Sequence, residues 1–388
     1  MWRATRSSSS TESRRCTALE YNDGAWHRDA EMQAPYRLTR DPATNNLVLG
    51  WVYSTHGYWG MCDDGLPADY TRQVVQLRWK PRRCSLLPVS ASTFCKRFWR
   101  DLPHPGRIST KAPSPMRELL IVGDSLTSQV YISLLALLRG RIVANTGDSQ
   151  RTGSTTRAWA YRDIPSDVLV SEGLVCLEHN MSQDVTQSKA ALERASARDA
   201  IAYGRPPVKI SFVRNEYLEV SMRKPVSHYN GMYPWSGRLT PKTILITQVT
   251  AWFYNSGEHL TQQLSSVFEA AKQNIGARWR EQIIVLSASI GHRWCEIETR
   301  HGMVRPSDGP KPGQHNYTLL NGVAANLAAE AGVTYIDVST MLNLRADGHN
   351  AHDCGHWCLP GPYDITTQLI HNALLGHIDF PVAHAMPL

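Results

Sequence analysis

The stretch ELLIVGDSLTSQVYISLLALL, residues 118–138, decides the fold class of this chain. Its apolar run at residues 119–122 predicts a short buried strand, and the apolar spacing across residues 130–138 predicts the helix that follows. Ser125 therefore lies on a strand-to-helix turn. Open α/β folds place their sites at the carboxyl ends of parallel strands, and the free amides that begin a helix favour developing negative charge. Ser125 is thus well placed to act as a nucleophile.

A base for this serine is available near the other end of the chain, in the motif DCGH at residues 353–356. A hydroxyl is a poor nucleophile at neutral pH, and a neighbouring histidine activates it. Neither motif is convincing alone. A lone GDS is common by chance, and the second motif has simpler interpretations, a helix cap for Asp353 and a packed histidine beside Trp357 for His356. Because one motif follows the first predicted strand of the sheet and the other follows the last, the pair favours catalysis.

Strand and helix patterns alternate through the rest of the chain. Further strands are predicted at residues 141–145, 208–213, 243–250, 282–287 and 333–338, and helices at residues 187–202, 260–279, 317–331 and 363–375. This alternation predicts an α/β fold built on a doubly wound, mainly parallel sheet with right-handed crossovers.

The region before this sheet has a different composition. Residues 16–115 are rich in Trp, Tyr, Pro and Cys and show little periodicity, which predicts an N-terminal Cys/Trp-rich subdomain packed on a catalytic domain at residues 116–388. Residues 1–15 are rich in Ser and Arg, and we expect them to form a disordered tail.

Composition sets broad limits on function. The chain has 388 residues, of which 42% are hydrophobic and 19% are charged, as in ordinary globular proteins. No apolar run approaches the roughly 20 residues that span a bilayer, and the first residues lack the apolar core of a signal peptide. We expect either a soluble chain or one whose membrane anchor lies upstream and has been removed.

The net charge of +7 comes from scattered arginines rather than from one stripe. A solvated basic surface is the simplest interpretation, and an affinity for acidic polysaccharide or an anionic membrane face is the next. Nucleic-acid binding is not expected, because no recognition motif accompanies the charge.

Eight cysteines and two glycosylation sequons, at Asn180 and Asn316, favour an oxidising secretory compartment. The even cysteine count predicts disulfides, but their pairing stays open. A zinc site is the alternative for a cluster near the end of the chain. Its members are His349, His352, Cys354, His356 and Cys358. Because their alternating spacing does not match the paired ligands of structural zinc, we expect no metal.

Three motifs, taken in chain order, resemble a known family. They are GDSL at 123–126, SASIGHRWC at 287–295 and DCGHWCLPG at 353–361. They are similar to the plant trichome-birefringence-like polysaccharide O-acetyltransferases and the wider PC-esterase group, within the SGNH (GDSL) esterase superfamily. The Cys-rich region upstream, with its RWKPRRC segment at 78–84, resembles the same family. The resemblance covers most of the chain beyond residue 15 and implies an SGNH-hydrolase-like fold.

The resemblance implies roles that agree with the chemistry. Ser125 is the acyl-accepting nucleophile, His356 the general base, and Asp353 the carboxylate that orients the imidazole and stabilises its charged form. The imidazole must come within roughly 2.6 to 3.2 Å of the serine oxygen. Asp124 is expected to shape the turn and to lie beside the cleft.

An acyl-transfer intermediate carries an oxyanion, which needs hydrogen-bond donors. The resemblance supplies the amides of Ser125 and Gly147. The third donor of the family is an asparagine after the central strand, where this chain has Gln248, while Asn255 follows a few residues later. We favour Gln248 slightly over Asn255. Ser128 stands where the family has an arginine. This difference affects the expected binding of the acetyl donor or the reaction rate, but not the choice of nucleophile.

Further candidates for the substrate cleft are His292, which belongs to the second motif, and two tryptophans, Trp252 and Trp357. Tryptophans 51 and 59 are also candidates for stacking on sugar rings, although most buried Trp belongs to a core. For His292, a structural role is an equal alternative.

These inferences predict an enzyme that moves an acetyl group onto a polysaccharide or oligosaccharide hydroxyl through an acyl-serine. The donor would be acetyl-CoA or another acetylated compound, with no bound cofactor, and the resemblance implies cell-wall polysaccharide and the Golgi lumen or membrane. One alternative is a carbohydrate acetylesterase with the same triad. Another is a catalytically inactive carbohydrate-binding relative, suggested by the departures at Gln248 and Ser128.

Overall fold

A computed structural model describes residues 14–29, 31, 35–36, 39–40, 47–49, 52–54, 74–99, 118–146, 170–176, 207–223, 232–253, 256–289, 292, 317–350 and 353–380. The predicted tail at residues 1–13, the predicted helix at 187–202 and the boundary near residue 115 lie outside these residues. They stay predictions.

The described residues form a mixed α/β structure around one seven-stranded sheet. Its strands, in spatial order, are β13 (Thr334–Ile336), β12 (Ile283–Leu286), β11 (Thr243–Gln248), β7 (Glu118–Gly123), β10 (Val208–Arg214), β9 (Val170–Val175) and β8 (Arg141–Thr146). The smaller strands are β1 (Cys16–Thr17), β2 (Gly24–Arg28), β3 (Thr39–Arg40), β4 (Leu47–Leu49), β5 (Val52–Ser54), β6 (Leu77–Pro81), β14 (His349–Asn350), β15 (Asp353–Trp357) and β16 (Ile378–Asp379). The helices are α1 (Ala91–Trp99), α2 (Ser125–Leu137), α3 (Gly257–Ile275), α4 (Tyr317–Ala331), α5 (Ser339–Leu342) and α6 (Asp364–Leu374).

Strand β7 lies at the centre of the sheet, as its sequence predicts. It pairs in parallel with β10 on one side and β11 on the other, and β12 and β13 continue the parallel arrangement. All four residues of its apolar run are 0% exposed. A strand covered on both faces needs such a continuous run. The predicted mainly parallel sheet is confirmed.

One strand of the sheet was not predicted. Strand β9 runs antiparallel between β10 and β8. Its sequence VSEGLV contains a charged residue and a glycine, which weakens the strand pattern. The carboxylate of Glu172 is paired with Lys209 and Arg238, so a charge on this strand has partners in the folded chain.

The predicted helix at residues 260–279 is displaced at both ends. Helix α3 begins after Ser256, whose side chain accepts a hydrogen bond from the amide of His259, and it ends at Ile275. Gly276 follows with a φ of 87°, a conformation that glycine tolerates and that ends helices. Trp279 therefore belongs to a separate short turn.

The N-terminal residues pack on the sheet region through covalent and polar links. Strand β1 pairs with β16, and disulfides join Cys16 to Cys84 and Cys95 to Cys176. The hydroxyl of Tyr36 donates a hydrogen bond to Asp364 of α6 at 2.6 Å. Aromatic residues of the N-terminal region share one buried cluster with residues of β7 and α2. These residues are Tyr21, Trp79, Phe94 and Phe98.

Candidate active site

The turn between β7 and α2 is built by Asp124. Its carboxylate accepts hydrogen bonds from the amides of Leu126 and Thr127, which caps the helix, and it is 2% exposed. Gly123 is required before this turn, because a Cβ there would lie 2.2 Å from the hydroxyl of Thr127. Asp124 thus shapes the turn as expected.

Ser125 is the first residue of α2, and its side chain reaches the second motif. The Oγ of Ser125 lies 2.7 Å from Nε2 of His356, and both residues are partly exposed. This distance is within the range for proton transfer from a nucleophile to a general base. The structure therefore brings together the serine and the histidine that the sequence motifs single out.

His356 lies on strand β15 of a small hairpin with β14, in which Asn350 faces Asp353 and His349 faces Trp357. For Asp353, only the backbone is described, three residues before that of His356. The carboxylate that was predicted to orient the imidazole therefore stays a prediction.

Aromatic stacking holds the hairpin in place. The ring of Trp357 stacks with that of His349, at a centroid distance of 4.0 Å, and with that of Tyr363, at 6.0 Å. The indole N–H donates to the hydroxyl of Ser289, and Nδ1 of His349 lies 2.9 Å from the carbonyl oxygen of His356. A carbonyl can only accept, so His349 donates this bond and fixes the backbone of the general base.

A buried glutamine joins the two halves of the site, and sequence reasoning did not single it out. Gln129 is 3% exposed, and its Nε2 donates to the carbonyl of Trp357 at 2.7 Å. Its Oε1 accepts from the amide of Trp357 at 3.1 Å. The only local signal was a polar residue four positions after Ser125, on the same helix face.

Gln248 lies next to the turn that carries Ser125, and its side-chain amide is hydrogen-bonded to other buried groups. Its two amide hydrogens point to the carbonyl of Ser287 and the hydroxyl of Tyr363, at 3.0 and 3.1 Å, and it is 0% exposed. Thr127 donates to its oxygen. An oxyanion would recruit this amide only if one of those bonds broke. Gly147 and Asn255, the other predicted donors, lie outside the described residues.

Two of the cleft candidates are fully buried. Trp357 and His292 are each 0% exposed, so no sugar can stack on Trp357 in this conformation. Nδ1 of His292 lies 2.6 Å from Nε2 of His349, and Nε2 of His292 lies 3.0 Å from the carbonyl oxygen of Asn343. Burial lowers the pKa of His292. The structure therefore favours packing roles for both residues rather than contact with substrate.

Trp252 is partly exposed and follows the carboxyl end of β11, so it remains a candidate for contact with substrate. Tryptophans 51 and 59 lie outside the described residues.

A buried ion pair follows the carboxyl end of β10, beside the turn that carries Ser125. Arg214 pairs in register with Gly123, and its guanidinium donates to Oε1 of Glu216 at 2.6 Å. The side chain of Glu216 is 0% exposed, and its Oε2 has no hydrogen-bond partner among the described residues. Burial raises the pKa of Glu216 to about 7, and the nearby charge of Asp124 adds to the rise. Sequence reasoning missed this pair.

Among the described residues, no three His, Cys, Asp or Glu side chains are grouped to hold a metal ion. Cys358, one member of the cluster considered for zinc, is in a disulfide. Within the same described ranges, every helix is too short or too polar to cross a membrane.

Comparison with known proteins finds plant relatives. The chain is 23% identical to protein trichome birefringence-like 42 of Arabidopsis thaliana over 335 residues, which cover 79% of each chain. It is 23% identical to xylan O-acetyltransferase 2 of Oryza sativa subsp. japonica over 349 residues, covering 79% of this chain and 62% of that protein. It is 20% identical to protein trichome birefringence of Arabidopsis thaliana over 401 residues, covering 92% of this chain and 56% of that protein.

The chain thus spans less than two thirds of the length of the last two relatives. It matches no protein-family profile and no solved structure.

Proposed function

We propose that this chain is a member of the trichome birefringence-like family and transfers an acetyl group onto a polysaccharide hydroxyl through an acetyl-Ser125 intermediate. The observation that carries the proposal is the 2.7 Å contact between Oγ of Ser125 and Nε2 of His356. One relative is named a xylan O-acetyltransferase, which supports a polysaccharide as the acceptor. Its name concerns that protein, and the acceptor of this chain is part of the proposal.

In the first half of the reaction, Oγ of Ser125 attacks the carbonyl carbon of the acetyl donor while its proton passes to Nε2 of His356. The C–O or C–S bond to the leaving group then breaks, and the leaving group takes the proton from His356. In the second half, a sugar hydroxyl gives its proton to His356 and attacks the acetyl carbon. Ser125 is released with its proton restored.

Nε2 of His356 must be unprotonated to accept from Ser125, so the ring proton lies on Nδ1. A carboxylate that accepts from Nδ1 holds this tautomer and stabilises the imidazolium that forms. We assign that role to Asp353, which lies three residues before His356 on the same strand.

The amide of Ser125 is the first donor to the oxyanion. The carboxylate of Asp124 caps the next two amides of the helix, those of Leu126 and Thr127. The start of α2 adds a partial positive charge at the same point. Gly147 is the second donor, and Asn255 or a rearranged Gln248 is the third.

The proposal extends to the fold, the domain boundaries, the cellular compartment and the acetyl donor. The parallel sheet with Ser125 at the carboxyl end of its central strand supports an SGNH-hydrolase-like, doubly wound fold at residues 116–388, with the Cys/Trp-rich subdomain at 16–115. Two disulfides support a secretory compartment such as the Golgi lumen. The donor is acetyl-CoA or another acetylated compound.

A product assay tests transfer against hydrolysis. The purified chain is incubated with an acetyl donor and xylo- or manno-oligomers, and the products are separated by mass spectrometry. Acetylated oligomer that disappears in Ser125→Ala supports the proposal. Free acetate without acetylated oligomer would mean an esterase, because the site then admits water and does not position a sugar. Neither product would point to the inactive carbohydrate-binding alternative.

A further inference from the structure

We infer that Gln129 is a positioning residue that holds the general base against the nucleophile. The inference rests on the proposed function for its meaning, because it concerns the same serine and histidine. Its structural content, a hydrogen-bonded link between helix α2 and strand β15, can be measured without any turnover.

The link joins the two elements that carry the reacting atoms. Gln129 lies one helical turn after Ser125 on α2, so the two side chains leave the same face of the helix. Its amide group bonds both the N–H and the carbonyl of Trp357, the residue that follows His356 on β15. The two bonds run in opposite directions between the same pair of residues, which fixes both the distance and the rotation of that backbone.

Gln129 makes this link from the helix that carries the nucleophile. Ser133, further along α2, bonds Asp364 of α6 rather than the hairpin. His349 holds the carbonyl of His356, but it belongs to the hairpin itself and moves with it. Gln129 therefore couples the position of His356 to that of Ser125.

Burial makes the link strong. Gln129 is 3% exposed and Trp357 is 0% exposed, so water cannot easily replace either bond. Breaking the link leaves the N–H and the carbonyl of a buried residue unpaired, which is costly. The hairpin would relieve this cost by shifting, and a shift of about 1 Å at a reacting group can lower a rate by about a hundredfold.

The first test replaces Gln129 with methionine, which has a similar shape and no hydrogen-bonding amide. The matched control is Gln282→Met. Gln282 also bonds backbone carbonyls, those of Pro241 and Thr243, but at the amino end of the strands, away from Ser125. Both variants lose two hydrogen bonds to backbone groups. Because Gln282 is partly exposed and Gln129 is buried, Gln282→Met should lose less stability, and the labelling rates are compared per folded molecule.

The readout is the rate at which a fluorophosphonate modifies Ser125, per folded molecule and located by peptide mass spectrometry. We expect Gln129→Met to react about tenfold to a hundredfold more slowly than the unaltered chain. Gln282→Met should react at the unaltered rate. Equal rates in Gln129→Met and the unaltered chain would overturn the inference.

Gln129→Glu keeps the test decisive if the methionine variant does not fold. A protonated glutamic acid has the shape of glutamine, with one donor and one acceptor, and so restores both bonds, whereas the carboxylate repels the carbonyl of Trp357. The ratio of its labelling rate to that of the unaltered chain should therefore rise as pH falls. A ratio that stays constant from a pH at which the introduced carboxyl is protonated to a pH at which NMR shows it to be ionised would contradict a positioning role.

A second readout separates this inference from the proposed function. NMR of the histidine rings reports whether Nε2 of His356 accepts a hydrogen bond from Ser125. The inference predicts that Gln129→Met loses this bond and Gln282→Met keeps it, whether or not Ser125 of the unaltered chain reacts with the phosphonate. An intact bond in Gln129→Met would overturn the positioning role. Absence of labelling in the unaltered chain would instead count against the catalytic proposal.

Discussion

Ser125 and His356 are 231 positions apart in the chain, yet Oγ of the first lies 2.7 Å from Nε2 of the second. Each side chain is held by its own local structure. A helix cap by Asp124 sets the turn of Ser125, and a two-stranded hairpin sets the backbone of His356. The contact between the two residues therefore depends on how the hairpin docks on helix α2.

The buried carboxyl of Glu216 predicts a pH dependence of stability. Its pKa is about 7 in the folded chain, against 4.5 for an exposed glutamate. The folded chain therefore binds the proton more tightly than the unfolded chain, and stability must fall as pH rises from 4.5 through 7. By linkage, the full loss is about 3 kcal/mol above pH 7.

Glu216→Gln removes the titrating group and keeps an oxygen for Arg214. We expect this variant to lose the decline in unfolding free energy between pH 4.5 and 7, measured by urea unfolding at several pH values. An unchanged slope in the variant would show that Glu216 is not the group responsible.

The second prediction concerns a buried ion pair that immediately precedes the β14–β15 hairpin in the chain. The guanidinium of Arg345 is paired with both carboxylate oxygens of Asp347 at 2.7 Å, and the two side chains are 2% and 1% exposed. Asp347→Ala leaves a buried charge unpaired and should lower the free energy of unfolding by about 3 to 5 kcal/mol. The double variant Arg345→Met, Asp347→Leu should recover part of this loss. A single variant as stable as the unaltered chain would contradict the prediction.

The third prediction follows from the position of Gln248 under the turn. Its amide bonds groups from three separate segments of the chain, at Thr127, Ser287 and Tyr363. Gln248→Leu leaves buried polar groups without partners, and we expect it to lower the free energy of unfolding by about 1 to 3 kcal/mol. Thermal unfolding followed by circular dichroism measures the change. An unaltered melting temperature would indicate that this amide is free to serve another role.

The sequence predicts much of the sheet because each of its parallel strands is a short, continuous apolar run. The apolar run before Ser125 has no other stable place than a strand buried on both faces, and β10 to β13 follow the same logic. Strand β9 is not predicted because Glu172 and Gly173 interrupt its apolar pattern. The charge of Glu172 is paired with Lys209, which comes close only in the folded chain.

Some residues of the candidate site can be predicted from the sequence, and others cannot. Asp124 and Ser125 are readable from sequence because a cap and a helix start are local features. The partners of Gln129, Glu216 and His292 come from distant segments or depend on burial, so no local pattern indicates them. A glutamine on an apolar helix face is visible in the sequence, but nothing there says that it bonds Trp357.

The most direct test of the central claim is to trap the acetyl group on the enzyme. The purified chain is mixed briefly with an acetyl donor in the absence of acceptor, quenched with acid, digested and analysed by peptide mass spectrometry. The account predicts an acetyl group on Ser125, lost in Ser125→Ala and strongly reduced in His356→Ala, and discharged when xylo-oligomers are added before quenching. An acetyl group on another residue, or sugar acetylation that persists in Ser125→Ala, would contradict it.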